Sequence, residues 1–179
     1  MGTPGTAVSV QLRPMTVADL PAAMRLEGTL FGGEAWTLEM FRSELGGRPD
    51  GRYYLAAVDG DEVVGYAGLL GPPPGRGTAR PGAGGQADVL TMAVDPGHWG
   101  RGIGTALLQA LLAEAVARGC GEVFLEVRVD NLRAQELYRR HGFVRIGLRR
   151  GYYQPSGTDA IVMRCPVPAA PAPRPEARP

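Results

Sequence analysis

The stretch from residue 103 to residue 118 constrains the fold of this 179-residue chain more than any other segment. Its apolar residues fall on two adjacent stripes at helical spacing: Leu107, Leu111 and Ala115 on the first, and Leu108, Leu112 and Val116 on the second. A helix with so wide an apolar face requires burial, and a sheet offers a surface that can bury it. Gly119 follows the pattern directly and predicts the end of the helix.

Patterns on either side of this helix predict a sheet and three further helices. Strands are predicted over 8–13, 53–59, 62–70, 88–95, 122–129, 143–149 and 160–164. Helices are predicted after Thr16, after Thr37 and from Asn131 to His141, and each of those polar first residues is a candidate N-cap. The resulting order is strand, two helices, three strands, helix, strand, helix and two strands. It is typical of a mixed α/β sheet rather than an alternating doubly wound one.

Glycine and proline mark the limits of the folded domain. We expect a disordered N-terminus over 1–7, a single domain over 8–165 and a disordered tail over 166–179, where six of fourteen residues are proline. Within the domain, ten of the sixteen residues from 71 to 86 are Gly or Pro, which predicts a long loop between two strands. No apolar stretch reaches about 18 residues and no signal peptide is visible, so we expect a cytoplasmic protein without a membrane partner.

Charge and missing residue types exclude several functions. The 19 basic and 18 acidic residues give a net charge of +1, which argues against a general nucleic-acid binder. All the basic residues are arginine, so the chain has no phosphate-binding-loop lysine, no kinase lysine and no Schiff-base lysine. The two cysteines and two histidines lack metal-binding spacing, so we expect no metal site.

A glycine turn comes directly before the long helix and reads Trp99-Gly-Arg-Gly-Ile-Gly104. The first N–H groups of a helix have no partner inside it, and glycine lets an anion approach them closely. A dinucleotide-binding motif fails on the glycine spacing, and a Walker loop fails because lysine is missing. Two interpretations remain: the pyrophosphate site of an acetyl-CoA-dependent acyltransferase, and a tight turn that binds nothing.

The turn and the residues after it resemble the Gcn5-related N-acetyltransferase (GNAT) superfamily. Its hallmark, Q/R-x-x-G-x-G/A, is matched at both final glycines, with Trp99 in place of the usual Gln or Arg. The resemblance runs from about Val8 to Met163 and includes Trp36. Further residues stand in the order and spacing of the ribosomal-protein-alanine N-acetyltransferases (the RimI-like family): Leu125-Glu-Val-Arg128, Asn131, Leu137-Tyr138, Gly142-Phe143, Arg150-Gly-Tyr152-Tyr153 and Asp159-Ala160.

The resemblance implies a fold and a set of site residues. The GNAT acyltransferase fold is a mixed, mostly antiparallel sheet of six or seven strands flanked by about four helices, with central strands that splay. In this family Glu126 corresponds to the general base and Tyr138 to the general acid. We expect Trp36, Tyr152 and Tyr153 to contact the substrate. Acetyl-CoA is the implied co-substrate, with these binding residues: Met92, Ala93, Val94, Gly100, Arg101, Gly102, Ile103, Gly104, Thr105 and Asn131.

Most of these residues also have a plain structural interpretation. Glu126 can be a surface carboxylate paired with Arg128, which lies on the same face of its strand. Tyr138 can be a core aromatic residue, Asn131 a helix cap, and the side chains from 92 to 94 part of the core. Seven arginines against three acids between 126 and 150 give a local net charge of +4. Such a patch can attract CoA phosphates, an acidic peptide or ribosomal RNA, or simply be a solvated face.

The function implied by the resemblance is protein N-α-acetylation. Acetyl would move from acetyl-CoA to the N-terminal alanine of a small-subunit ribosomal protein, by direct attack in a ternary complex. An α-amine with a pKa of about 7.7–8.0 is partly neutral near pH 7.5, whereas a lysine amine near 10.4 is neutral in about one part in a thousand. The alternatives are a GNAT enzyme that acetylates a small-molecule amine and a non-catalytic CoA-binding scaffold. We expect a monomer with no direct nucleic-acid readout.

Overall fold

A computed structural model describes residues 10–46, 51–73 and 85–168. The N-terminus over 1–7, most of the 71–86 loop and most of the 166–179 tail lie outside those described residues, so their expected disorder stays a prediction. The described residues form one sheet of seven strands and four α-helices. Their bounds in chain order are β1 Gln11–Pro14, α1 Leu20–Leu30, α2 Leu38–Gly46, β2 Arg52–Asp59, β3 Glu62–Leu70, β4 Gly85–Val94, α3 Ile103–Ala117, β5 Cys120–Arg128, α4 Leu132–Arg140, β6 Val144–Tyr153 and β7 Thr158–Pro166.

The sheet has the order β1-β2-β3-β4-β5-β7-β6. Every neighbouring pair is antiparallel except β4 and β5, which run parallel. This central pair is registered only from Gly85 opposite Cys120 to Asp88 opposite Phe124, although both strands continue beyond those residues. The two central strands therefore splay apart, and the prediction of a mixed, mostly antiparallel GNAT sheet is confirmed.

Two apolar clusters cover the two faces of the sheet. Successive residues of β3 point to opposite faces, since Tyr66 belongs to the second cluster and Ala67 to the first. The predicted stripes of α3 fill the first cluster with Ile103, Leu107, Leu108, Leu111 and Ala115. Helices α1 and α2 fill the second with Leu20, Ala23, Leu26 and Phe41. None of the helices in the described residues is long and apolar enough to cross a membrane.

Local capping follows the sequence at all three predicted positions. The Thr37 hydroxyl accepts the N–H of Met40 at 3.2 Å, and the Asn131 side chain accepts the N–H of Ala134 at 3.1 Å. Thr16 is the N-cap of a short 3-10 turn that leads into α1, and it forms a capping box with Asp19. In that box the Asp19 carboxylate accepts the Thr16 N–H at 2.8 Å.

Some predicted boundaries move where strand pairing extends beyond the sequence pattern. Strand β4 begins at Gly85, inside the expected loop, because that residue pairs with Cys120. Pro166, which was expected to start the tail, lies in β7. The N–H of Val167, the residue after it, donates to the Gly121 carbonyl at 2.9 Å. Strand β6 continues to Tyr153 because it pairs there with β7. Partner strands outweigh the weak intrinsic β-propensity of glycine and proline at such positions.

Arg118 joins the residue before β2 to the segment that follows β3. Its side chain is only 3% exposed and forms an ion pair with Glu114 at 2.7 Å. The guanidinium also donates to the carbonyls of Gly51 and Pro72. Next to Arg118, the Gly119 carbonyl accepts the N–H of Gly85, the first residue of β4, at 3.2 Å. The junction between α3 and β5 therefore holds both Pro72 and Gly85.

Candidate active site

A cavity of about 170 Å³ opens where β4 and β5 diverge. The α1–α2 loop (31–37), the two splayed strands, α4 and the end of β6 all contribute to its wall. Six of the predicted site residues line it, coming from five separate parts of the chain: Trp36, Met92, Glu126, Asn131, Tyr138 and Tyr153. The structure therefore brings both predicted catalytic residues and part of each predicted binding set to one place.

Other predicted residues do not line this cavity. Ala93 is 3% exposed and packs in the second apolar cluster. The Val94 carbonyl accepts the Trp99 indole N–H at 2.9 Å. Tyr152 is 43% exposed and meets the ring of Tyr153 edge-on at 5.1 Å. The residues from 100 to 105 form the turn and first helical residues that follow β4, outside the cavity wall.

The glycine turn offers open space and free amides. Gly100 and Gly102 have φ angles of +79° and +80°, which L side chains rarely adopt, and nothing lies within 4 Å of where a Cβ would stand. No side chain of the described ranges caps α3. Gly104 is needed for packing instead, because a Cβ there would lie only 3.3 Å from Leu137 Cδ2 of α4. The first two glycines therefore fit an anion, and the third lets α3 approach α4.

The two basic side chains of the turn lie next to carboxylates. Arg101 Nη1 lies 2.8 Å from Asp59 Oδ2 at the end of β2. The ring nitrogens of His98 lie 3.5 Å from Asp59 and 3.3 Å from Asp95. Arg101 is one of the predicted cofactor-binding residues. Because its guanidinium is paired with Asp59, its backbone N–H is the group that remains for that role.

Glu126 has a different partner from the one its strand suggests. Its Oε1 lies 3.2 Å from Nη1 of Arg149 on β6, and Arg149 is 57% exposed. The alternative interpretation, a surface pair with Arg128, is wrong, because Arg128 bonds Glu34 and Asp130 instead. Exposed ion pairs contribute about 0–1 kcal/mol, so the Arg149 contact leaves the Glu126 carboxylate free to exchange partners.

Arg128 and Glu34 join two walls of the cavity. Glu34, in the α1–α2 loop, accepts hydrogen bonds from Ser156 in the β6–β7 turn and from Arg128 at the end of β5. Arg128 also donates to the Thr158 hydroxyl at 3.1 Å. The Ser156 hydroxyl, followed by the Arg128 guanidinium, lowers the pKa of the Glu34 carboxyl. The sequence analysis named Trp36, Tyr152 and Tyr153 on these two walls but not this connection, because the residues that form it lie far apart in the chain.

The two tyrosines of the cavity keep their protons. Burial raises the pKa of Tyr138 above its ordinary value, and its ring packs on Phe143 at 5.8 Å. Burial also raises the pKa of Tyr153 to about 12, and the charges of Tyr152 and Glu126 act in the same direction. A phenol in this state can donate a hydrogen bond or a proton but is not a base at neutral pH. Tyr138 is 7% exposed, so its interpretation as a core residue holds alongside its place in the wall.

Glu27 lines the cavity and was missed by the sequence analysis. It is 1% exposed, and its carboxylate accepts the Trp36 N–H at 2.6 Å and the hydroxyl of Tyr66. Burial raises its pKa to about 7, and the bond from the Trp36 amide opposes that rise. A signal was present, because Leu20, Ala23 and Glu27 lie at helical spacing on one stripe. A carboxylate on an apolar stripe indicates a buried acid with hydrogen-bond partners.

Comparisons with known proteins agree with this arrangement. The family model described as acetyltransferase (GNAT) family matches residues 20–143. N-alpha-acetyltransferase RimI of Mycobacterium tuberculosis is 43% identical over 158 residues, covering 87% of this chain and 91% of that protein. The crystal structure of the ribosomal-protein-S18-alanine N-acetyltransferase from Escherichia coli gives a TM-score of 0.72 at 27% identity, over 92% of this chain and 97% of that one. Arabidopsis thaliana NAA60 in complex with acetyl-CoA shares the fold, with a TM-score of 0.73 at 22% identity over 87% and 97% of the two chains.

Substituting Glu27→Gln will change how stability depends on pH. Because the folded-state pKa of about 7 lies above the ordinary value of 4.5, the contribution of Glu27 is fully present below pH 4.5 and is lost as the pH rises through 7. The free energy of unfolding of the wild type minus that of Glu27→Gln will therefore fall between pH 5.5 and pH 8. Urea denaturation at several pH values measures it, with Glu39→Gln on the exposed part of α2 as the control. A difference that does not change with pH would contradict the assignment.

Proposed function

The chain belongs to the acetyltransferase (GNAT) family and is an N-acetyltransferase, and from this premise we propose that it moves acetyl from acetyl-CoA to the N-terminal alanine of a small-subunit ribosomal protein. The observation that carries the proposal is the meeting of Glu126 and Tyr138 in one cavity between the splayed strands. The names of two relatives point the same way: an N-alpha-acetyltransferase in Mycobacterium tuberculosis and an alanine N-acetyltransferase for ribosomal protein S18 in Escherichia coli. Ribosomal substrates place the proposed reaction in the cytoplasm.

The glycine turn and the cavity fit the parts of acetyl-CoA, whose thioester supplies an activated acetyl group. The uncapped amides of α3, beside the open space at Gly100 and Gly102, suit a diphosphate. A β-bulge at Leu90 interrupts the pairing of β4 with β3, and this part of β4 lines the cavity. Backbone groups of the splayed strand near Met92 therefore suit an extended pantetheine arm. Asn131, at the start of α4, lines the cavity as well.

Two side chains provide the acid and the base. Glu126 would accept a proton as the α-amine attacks, which is a modest demand because a free α-amine is already partly neutral near pH 7.5. Tyr138, protonated at neutral pH, would donate a proton to the departing thiolate. Both cysteines are buried and neither lines the cavity within the described residues, which supports direct attack over transfer through a cysteine.

The walls of the cavity favour a peptide with a small first residue. Aromatic side chains line it from both flanking elements: Phe31 and Trp36 from the α1–α2 loop and Tyr153 from β6. The bonds of Glu34 to Arg128 and Ser156 hold these elements together. Such a slot suits an extended N-terminus that begins with alanine.

A panel of acceptors tests the proposed function. Thiol release from acetyl-CoA would be measured with peptides that begin with Ala, Ser or Met, with an N-blocked peptide that carries an internal lysine, and with polyamines. We expect turnover with the free Ala peptide and none with the blocked one. Turnover with polyamines alone would favour the small-amine alternative. Binding of acetyl-CoA without turnover of any acceptor, a ribosomal S18 N-terminal peptide included, would favour the scaffold alternative.

Replacing the base, Glu126→Gln, will slow chemistry without weakening acetyl-CoA binding. We expect kcat for an Ala peptide to fall about 10²–10⁴-fold at pH 7, with partial recovery at higher pH as the free amine loses its proton in solution. Glu122→Gln is the matched control, because Glu122 lies on the same strand, pairs with Arg164 at 2.8 Å and is not part of the cavity wall. Unchanged turnover at pH 7 would remove Glu126 from the role of base.

Replacing the acid, Tyr138→Phe, keeps the aromatic ring and removes the proton donor. We expect kcat to fall about 10²–10³-fold with little change in thermal stability. Tyr53→Phe is the control, since Tyr53 is half-buried and lies outside the cavity wall. A loss of melting temperature with normal kcat would mean that Tyr138 serves the core alone.

A further inference from the structure

Arg133 has no carboxylate partner in the part of the chain that the structure describes. Of the seven arginines between 126 and 150, four form ion pairs: Arg128, Arg139, Arg140 and Arg149. Within the described residues, Arg133 forms no ion pair and no hydrogen bond, and its contact is with an aromatic ring. Its guanidinium carbon lies 4.1 Å from the centre of the Trp99 ring. Stacking of this kind orients a guanidinium but does not neutralise its charge.

Trp99 is itself fixed in place. Its indole N–H donates to the Val94 carbonyl at 2.9 Å, so the side chain folds back on the end of β4 while 44% of the residue stays exposed. Trp99 directly precedes Gly100, the first residue of the glycine turn. The flat face that supports Arg133 is therefore anchored beside the open space of that turn.

Helix α4, which carries Arg133, contacts two neighbouring elements. Asn131 caps its first turn, and the Gln135 side chain donates to the carbonyls of Arg128 and Val129, at the end of β5, at 3.0 Å each. Farther along the helix, Leu137 reaches the surface of Gly104 in α3. These contacts place α4 beside both the end of β5 and the start of α3.

The basic side chains of the turn itself already have carboxylate neighbours. Arg101 is paired with Asp59 at 2.8 Å, and His98 lies near both Asp59 and Asp95. An unpaired positive charge beside an anion at the α3 amides must therefore come from another element, and the neighbouring element is α4. Arg133 is the residue of α4 whose position and lack of a partner meet that need.

We propose that Arg133, held on the face of Trp99, binds a nucleotide phosphate of acetyl-CoA at the glycine turn. The inference rests on the proposed function and adds a binding residue to it. Trp99 then acts as a positioning residue: it supplies no charge of its own but holds a guanidinium delivered by a different helix. A planar guanidinium with free N–H groups is well suited to phosphate oxygens.

Titration calorimetry with the full chain tests the proposal. We expect Arg133→Gln to raise the Kd of acetyl-CoA about five- to tenfold, as loss of one partly exposed charged hydrogen bond would. Arg145→Gln is the matched control, because Arg145 is exposed on β6 and also has no ion pair within the described residues. Equal Kd values for the wild type and Arg133→Gln would overturn the inference. Failure of the wild type itself to bind acetyl-CoA would instead overturn the proposed function.

Truncated ligands identify the phosphate. With S-acetylpantetheine, which has no phosphate, we expect kcat/KM to be equal for the wild type and Arg133→Gln. If Arg133→Gln lowers kcat/KM as much with S-acetylpantetheine as with acetyl-CoA, the inference is overturned, because the loss does not depend on phosphate. Dephospho-acetyl-CoA, which lacks the 3′-phosphate, shows which phosphate Arg133 binds. If Arg133→Gln still binds this ligand more weakly than the wild type does, Arg133 binds the diphosphate. If the two proteins bind it equally, Arg133 binds the 3′-phosphate.

A double-mutant cycle tests the role of Trp99. We expect Trp99→Leu to weaken acetyl-CoA binding and the double variant with Arg133→Gln to bind no more weakly than Arg133→Gln alone, because the ring acts through the guanidinium. Melting temperatures measured alongside show whether each variant is folded. Additive losses would overturn the positioning role of Trp99.

Discussion

Strands β4 and β5 pair in parallel over four residues and then separate, while each keeps its other neighbour, β3 and β7 respectively. Beyond Asp88 and Phe124 the facing N–H and C=O groups lose their partners within the sheet, and such groups require other polar partners when they are enclosed. A ligand with amide groups of its own meets that requirement. Helices α3 and α4 follow these two strands: the first amides of α3 have no side-chain cap within the described residues, and α4 contributes Asn131 and Tyr138 to the cavity wall.

Polar contacts between distant segments keep this opening in shape. Glu34 connects the α1–α2 loop to the β6–β7 turn and to Arg128, and Glu27 holds the Trp36 backbone from inside the second apolar cluster. Both carboxylates are nearly enclosed, but their environments push the pKa values apart: Ser156 and Arg128 lower that of Glu34, and burial raises that of Glu27. The two acids thus have different structural roles in one wall, and Glu126 is the carboxylate of the cavity whose partner, Arg149, is largely exposed.

The sequence predicted whatever depends on local periodicity and missed what depends on strand order. The stripes of α3, the caps at Thr37 and Asn131 and the mixed sheet follow from neighbouring residues, and the family resemblance then supplied the splay and the site positions. The partner of Glu126 could not be found in this way, because Arg149 reaches it only through the β5-β7-β6 order. The roles of Glu126 and Tyr138 remain predictions, although one cavity holds both.

The hydrogen bonds around Arg118 have a consequence for how this chain tolerates change. Pro72 and Gly85, on either side of the 74–84 segment, are each hydrogen-bonded to the junction between α3 and β5: the Pro72 carbonyl accepts from the Arg118 guanidinium, and the Gly85 N–H donates to the Gly119 carbonyl. Adding residues between two fixed points costs mainly the entropy of closing a longer connection, about 0.6 kcal/mol for each doubling of length. We therefore expect changes in chain length between these two residues to cost the fold little free energy, and a reporter peptide inserted there to leave it intact.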